Sequence, residues 1–284
     1  MLTTIAVISR ILSNSTANLF QKKSAETISS VNTNLISYLI MSLICIIPAL
    51  YINWHDFSVE FWLYVIIAGI LCTIGTIALI KALSLGELST LSPINSYKTI
   101  IGLISSVFLL GELPTFKEFI CILMIIWGSY FVLDTEKEPF SVKTFFRKDI
   151  QLRLFALICS GIEASFLKKI IIMSSWEISL ILWCFSGFLC SLIIYLFKKN
   201  KNNTLAELSN IKNCTVIALM LIIMQSTTNY VFTKMPVGTA LALFQLSSLV
   251  SLYFGYKIFN EKNMHKKLAG TIIMILSAGI ILIG

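Results

Sequence analysis

The amino-acid sequence predicts an all-α integral membrane protein with ten transmembrane helices, arranged as two inverted five-helix repeats. Three observations predict it: an apolar composition, ten long apolar runs, and a polar gap that divides those runs five and five. Of the 284 residues, 57% are apolar and only 13% are charged, and the mean hydropathy is +0.87. Because a water-soluble domain carries about 25% charged residues, this chain has too little polar surface to cover a soluble globule.

The apolar runs predict the number of membrane crossings. Each is about 18 to 25 residues long, which is enough to cross a hydrocarbon core of about 30 Å as an α-helix. The runs are continuously apolar, whereas the strands of a membrane barrel alternate over about ten residues, so helices are favoured. The ten runs cover residues 1–20, 33–53, 60–83, 87–110, 115–133, 151–173, 178–197, 214–233, 236–257 and 266–284.

A polar gap near the middle of the chain separates two groups of five runs. We predict a first five-helix repeat over residues 1–134, a polar linker over 135–150 and a second five-helix repeat over 151–284. Each half is expected to cross the membrane five times. Because five is an odd number, a duplicated second half begins on the opposite side of the membrane, so the second repeat is expected to be inverted. A shift of 149 residues superposes Glu112 on Glu261, among other identities, which favours a duplication.

The distribution of charged residues and cysteines indicates which ligands and partners to expect. The net charge is +8, but most basic residues lie in short clusters between apolar runs, as the loop charges of membrane proteins do. We therefore expect no nucleic-acid partner. The seven cysteines show no paired spacing and are interpreted as free thiols. We expect no metal and no cofactor, a small-molecule substrate, surrounding membrane lipids, and a monomer or homodimer.

The fourth and fifth runs carry a family pattern. They read ALSLGELSTLSPINSYKTIIGLISSVFLLGELPTFKEFICILMIIWGSYFVL over residues 82–133. Pro93 lies early in a helix, the pair Gly111 and Glu112 follows it, and Gly128 lies in the next helix. This pattern resembles the drug/metabolite transporter superfamily, in its ten-helix EamA-like branch.

The last two runs repeat the pattern as VGTALALFQLSSLVSLYFGYKIFNEKNMHKKLAGTIIMILSAGIILIG. Here Asn260 and Glu261 stand in place of Gly-Glu, and Pro236 lies earlier than Pro93 does. The resemblance covers essentially the whole chain. It implies two repeats around a cavity, cytoplasmic termini, and a cargo among amino acids, phosphorylated metabolites, amines or drugs. Because its motifs are structural, they indicate the fold and say little about the cargo.

Polar side chains inside the runs predict which helices surround a cavity, because such groups are costly in lipid unless they face protein or water. Runs one, four, six, eight and nine are expected to line it. Runs two, five, seven and ten are expected outside, and the resemblance adds run three to the lining. Any single hydroxyl or aromatic ring has helix packing as its alternative role. The candidate substrate-binding residues are Arg10, Asn14, Asn18, Asn95, Tyr97, Lys98, Glu163, Gln225, Asn229, Tyr230, Gln245 and Ser248.

Arg10, Lys98 and Glu163 lie near the middle of their runs, where a side chain reaches the membrane interface with difficulty. One interpretation pairs Glu163 with Lys98 or Arg10 in a structural ion pair. The other leaves at least one cation to bind a substrate anion, while Glu163 takes up a proton or a substrate amine. Because two cations face one carboxylate, a carboxylate or phosphate ligand would supply the missing charge.

Lysine and arginine are unevenly divided between the loops. The odd-numbered loops carry 16 of them and the even-numbered loops carry four. The positive-inside rule places the side with the 16 basic residues in the cytoplasm, which puts both termini outside. The resemblance implies cytoplasmic termini instead. We follow the charge count and expect a multi-pass protein of the cell (inner) membrane.

These features predict a secondary transporter rather than an enzyme. It would move a small polar metabolite, such as an amino acid, organic anion or amine, by alternating access as a uniporter, exchanger or proton-coupled carrier. The sequence contains no GxxxxGK[ST] pattern for ATP. A flippase for a lipid-linked sugar is the alternative, because the superfamily includes such carriers. An intramembrane enzyme is a remote alternative, because His55 and His265 lie in loops or at a run end.

Overall fold

The structure is a computed structural model whose described secondary-structure elements are all helical. It describes residues 1–54, 57–111, 145–198, 210–262 and 264–282, together with positions 116, 120, 123–124, 127–128 and 131. Most of the predicted fifth span, 115–133, and most of the predicted linker, 135–150, fall outside these residues.

The first repeat begins with three long helices, α1 (Leu2–Ala25), α2 (Ser30–Ala49) and α3 (Val59–Leu85). The residues before α2 and α3 are both serines, Ser29 and Ser58. Their side chains accept hydrogen bonds from backbone N–H groups in the first turn of each helix. These caps satisfy donors that have no partner inside the helix.

The fourth span is broken into α4 (Leu88–Leu91), a 3₁₀ turn (Pro93–Ser96) and α5 (Tyr97–Leu110). Pro93 produces the break, because proline lacks a backbone N–H and its ring clashes with the preceding helical turn. After α5, Gly111 adopts a left-handed backbone with φ of 72°, a conformation that ends many helices and favours glycine.

The second repeat follows the same plan. It contains α6 (Lys148–Met173), α7 (Trp176–Leu196), α8 (Ile211–Phe232), the broken pair α9 (Val237–Phe244) and α10 (Ser247–Phe259), and α11 (Met264–Leu282). Asn260 ends α10 with a left-handed φ of 51°, and it lies 149 residues after Gly111. The break between α9 and α10 also matches the one in the fourth span at this shift. These matched features support the two-repeat architecture.

The described helices account for nine spans, two of them broken, so the described part of the chain does not reach the predicted ten. Many large apolar side chains on their outer surfaces are exposed, including Ile47, Ile66 and Ile193. In lipid such a surface is favourable, whereas in water it would be an aggregation hazard. Six helices within the described residues are long and apolar enough to cross a membrane: Ser30–Ala49, Val59–Leu85, Leu88–Leu110, Trp176–Leu196, Ile211–Phe232 and Val237–Phe259.

An apolar cluster joins the helices at one end of the bundle. Val7 near the start of α1 packs with Ile171 late in α6, Phe232 at the end of α8, and Val237 and Phe244 in α9. We call this the Phe232 end.

Charged and polar groups meet at the opposite end. Lys22, near the end of α1, contacts Gly86 and Glu261, and Lys267 in α11 contacts Glu87 between α3 and α4. We call this the Lys22 end. Lys22 and Lys267, which belong to the odd-numbered basic loops, lie on this side.

Candidate substrate-binding site

A small cavity of about 100 Å³ lies between the two repeats. Ligand sites for small molecules usually enclose about 300 to 1,000 Å³, so the cavity in this conformation is compact. Helices from both repeats line it. The lining residues are Arg10, Asn14, Asn18, Gln21, Tyr38, Cys72, Gly75, Thr76, Leu79, Asn95, Lys98, Arg153, Ala156, Ser160, Glu163, Trp183, Leu221, Met224 and Gln225.

The α1 lining is a polar stripe. Arg10, Asn14, Asn18 and Gln21 recur at intervals of three and four residues, which places them on one helical face. Asn14 donates a hydrogen bond from Nδ2 to Oγ of Ser247, at 3.1 Å, so the stripe is also tied to the break in the ninth span.

Arg10 is buried, at 4% exposure, and it is held by neutral groups. Its guanidinium carbon lies 4.2 Å from the ring centroid of Phe244, and its Nη1 donates a long hydrogen bond of 3.5 Å to the Phe244 carbonyl. Its Nε has no hydrogen-bond partner among the described residues. A cation over an aromatic face is attracted electrostatically, and within the described part of the chain no carboxylate lies within 4.0 Å of it.

Arg153 enters the cavity near the start of α6, where it is also 4% exposed. Its Nε donates to the carbonyl of Leu91 at 3.0 Å, and its Nη2 donates to Oδ1 of Asn95 at 3.1 Å. In a regular α-helix the Leu91 carbonyl would accept from the N–H of Asn95. That N–H instead bonds to the carbonyl of Ser92, so the break at Pro93 releases an acceptor that Arg153 uses.

Glu163 lies in the middle of α6, buried at 7% exposure. Its Oε1 accepts a hydrogen bond of 2.8 Å from Nε1 of Trp183. Among the described residues, no salt bridge within 4.0 Å joins Glu163 to Lys98 or to Arg10. Both sequence interpretations of these groups therefore stay predictions.

The two helix breaks are joined behind the cavity. Asn95 donates from Nδ2 to Oε1 of Gln245 at 3.2 Å, and Gln245 donates from Nε2 to Oγ1 of Thr99 at 3.3 Å. Asn95 thus contacts Arg153 in α6 and Gln245 after α9. Movement of one repeat relative to the other would change the geometry of the hydrogen bond between Asn95 and Gln245.

Comparison with known proteins identifies the fold's family. The model of the EamA-like transporter family matches residues 1–134 and 148–283. The chain belongs to the EamA-like transporter family. No curated protein matches the chain. One solved structure, described only as the crystal structure of a protein, aligns over 99% of this chain and 96% of its own, with a TM-score of 0.67 and 14% identity. That likeness supports the fold alone.

Membership in this family makes the protein a membrane transporter of the drug/metabolite transporter superfamily. Of the twelve candidate residues, seven line the cavity of this EamA-like transporter: Arg10, Asn14, Asn18, Asn95, Lys98, Glu163 and Gln225.

The other five candidates lie outside the lining. Asn229 donates to the carbonyl of Trp176 at 3.2 Å and accepts from Gln225 at 2.7 Å, and Tyr230 packs edge-on against Trp176. Tyr97 lies beside apolar clusters. Gln245 supports Asn95 as described, and Ser248 donates to the Gln245 carbonyl.

The structure also adds residues that the sequence analysis did not select. Arg153 was counted with the loop charges, yet it lies inside α6 and lines the cavity. Its position just inside the predicted sixth run was the signal that could have identified it. Tyr38 of α2 and Trp183 of α7 bring two helices to the cavity that were expected only at its outside. The expected ninth span contributes no lining residue within the described part of the chain.

Glu261 joins three segments at the Lys22 end. Its Oε1 accepts from Nζ of Lys22 at 2.7 Å and from the backbone N–H of Leu88 at 2.8 Å, while its Oε2 accepts from the N–H of Ser89 at 2.7 Å. The carboxylate of the second repeat thereby caps α4 of the first. Burial raises the pKa of Glu261, but the hydrogen bonds from Lys22 and Ser89 outweigh burial and hold the pKa below its usual 4.5.

Proposed function

We propose that this EamA-like transporter is a secondary active transporter of the cell membrane that moves a small polar metabolite by alternating access. The observation that carries the proposal is the cavity between the two repeats, with Arg10, Lys98 and Glu163 in its lining. Charged groups inside a membrane protein mark substrate or ion pathways by default, because they are costly elsewhere.

The contacts that join the helices at the two ends support a cycle of conformations. The Phe232 end is closed by an apolar cluster and the Lys22 end by ion pairs. A substrate larger than the present cavity enters only if the helices at one end separate. Rocking of one repeat against the other around a central site accomplishes this in many secondary transporters.

The cavity residues divide into two roles. Lys98 and Arg10 would bind an anionic group of the substrate, such as the carboxylate of an amino acid or organic acid. Glu163 would take up a proton or a substrate amine, since no described cation neutralises it within 4.0 Å. A proton gradient or an exchange partner would then supply the free energy for transport.

The proposal is tested by transport into liposomes. A thermal-shift screen of amino acids, organic acids and amines against the detergent-purified protein first selects the labelled substrate. We expect Lys98→Ala and Glu163→Gln each to abolish its uptake while expression and thermal stability stay near wild type. Lys169→Ala is the matched control, because Lys169 also lies in α6 but does not line the cavity.

Two results would contradict the proposal. Wild-type uptake in both cavity variants would remove Lys98 and Glu163 from the site. Absence of stabilisation by any soluble metabolite, combined with movement of a lipid-linked sugar between leaflets, would favour the flippase instead.

A further inference from the structure

The cavity carries more positive charge than the sequence analysis counted. Three cationic side chains, Arg10, Lys98 and Arg153, line it together with one carboxylate, Glu163. No other charged side chain appears in the described lining. With all four groups ionised, the lining has a surplus of two positive charges.

This surplus is not neutralised nearby. None of the three cations forms a salt bridge within 4.0 Å in the described part of the chain. Arg153 is fixed by a carbonyl and an amide oxygen, and Arg10 by a carbonyl and an aromatic ring. These neutral groups orient the guanidinium groups but leave their charge uncompensated.

Both arginines retain nitrogen atoms for a ligand. The Nε of Arg10 is buried without a hydrogen-bond partner among the described residues. Arg153 uses Nε and Nη2 for its contacts, which leaves Nη1. Guanidinium groups match carboxylate and phosphate oxygens in geometry and charge. An anion between them would contact α1 of the first repeat and α6 of the second.

We infer that the ligand of this cavity is a small dianion, that is, a dicarboxylate or a phosphate monoester. The inference rests on the proposed function and names the substrate class of the same site. A buried charge is costly unless an opposite charge compensates it. A ligand with two negative charges balances the lining. A monoanion leaves one positive charge uncompensated, and a zwitterion leaves two. The compact cavity favours a ligand of few atoms.

Matched pairs of probes test the inference by calorimetric binding to the detergent-purified full chain at pH 7.5. Succinate is compared with succinamate, which has the same carbon chain but one carboxylate, and glycerol 3-phosphate is compared with glycerol. We expect at least one dianion to bind tenfold or more tightly than its partner. The tighter of the two dianions distinguishes the carboxylate source from the phosphate source. Equal or tighter binding of both less charged partners, or binding of no probe, would overturn the inference.

Removing one cation provides the second test. Arg153→Gln lowers the surplus to one, so we expect the preference for the dianion to disappear. Lys169→Gln removes a charge from the same helix outside the lining, and its preference should equal that of wild type. If Arg153→Gln does not fold, Lys98→Gln serves as the test variant instead, because it also removes one positive charge from the lining. A full dianion preference in the folded variant would overturn the inference.

The outcomes separate this inference from the proposed function. Tenfold dianion selectivity without any uptake into liposomes would contradict the proposed transport and retain the ligand class. Uptake of an amine or monoanion in preference to dianions would retain the transport and overturn the ligand class.

Discussion

At the Phe232 end the helices around the cavity meet through apolar side chains, whereas at the Lys22 end they meet through charges and a helix cap. Phe232 and Phe244 are 2% and 0% exposed at the first. Lys22, Glu261 and the first amides of α4 meet at the second. The two closures have to be broken by different means.

The difference concerns the cost of opening to water. Separating apolar side chains costs a free energy of about 25 cal/mol for each Å² of apolar surface that becomes exposed to water. Separating Lys22 from Glu261 lets water solvate both charges again, and the desolvation of a buried pair nearly offsets its attraction. We therefore expect the Lys22 end to open with the smaller free-energy cost, although removal of one charged partner alone would be severe.

The largest expected effect follows replacement of Glu261 by alanine. Lys22 would stay buried without a counter-charge, and the N–H groups of Leu88 and Ser89 would lose their acceptor. We expect the free energy of unfolding to fall by about 3 to 5 kcal/mol, measured by chemical denaturation in detergent. Exposed Glu60 is the control, and Glu60→Ala should change it by less than about 0.5 kcal/mol. An equal effect of the two variants would contradict the role of Glu261.

A second, smaller effect is expected at the apolar closure. Phe232→Ala removes a buried ring whose centroid lies 6.5 Å from that of Phe244. We expect a loss of about 3 kcal/mol in the free energy of unfolding, because a cavity replaces the ring. Phe197→Ala provides the comparison, since Phe197 is 85% exposed. If the two phenylalanine variants were equally stable, the Phe232 end would not be closed by packing.

The smallest effect is a pH dependence confined to the Lys22 end. Glu261 lies between α10 and α11, outside the spans, and its pKa is lowered from 4.5. A lowered pKa means that the folded state favours the carboxylate, so this stabilisation is present above pH 4.5 and is lost as the pH falls through the lowered value.

The measurement is the unfolding free energy of wild type and of Glu261→Gln between pH 7 and pH 3. We expect the difference between the two proteins to be constant down to about pH 4.5 and to shrink below it. A difference that persists unchanged to pH 3 would show that the charge of Glu261 does not stabilise this end.

Local signals predicted most of the helices, and the exceptions are instructive. Pro93 marks the break in the fourth span because its chemistry forbids a regular helix. The break between α9 and α10 has no proline, and the sequence analysis gave this span as unbroken. The spacing of the α1 stripe from Arg10 to Gln21 indicates that its side chains share one helical face. Asn229 and Tyr230 instead contact Trp176 of a neighbouring helix.

The sequence by itself determined that this chain is a helical membrane protein, because in lipid each segment must satisfy its own backbone hydrogen bonds and its apolar length sets the span. Only the tertiary structure decided which polar groups share a space. Lys22 and Glu261 are 239 residues apart, and Arg153 reaches the cavity through a carbonyl that a distant helix break released. Such partnerships depend on how separate helices pack, which hydropathy and spacing along one helix do not specify.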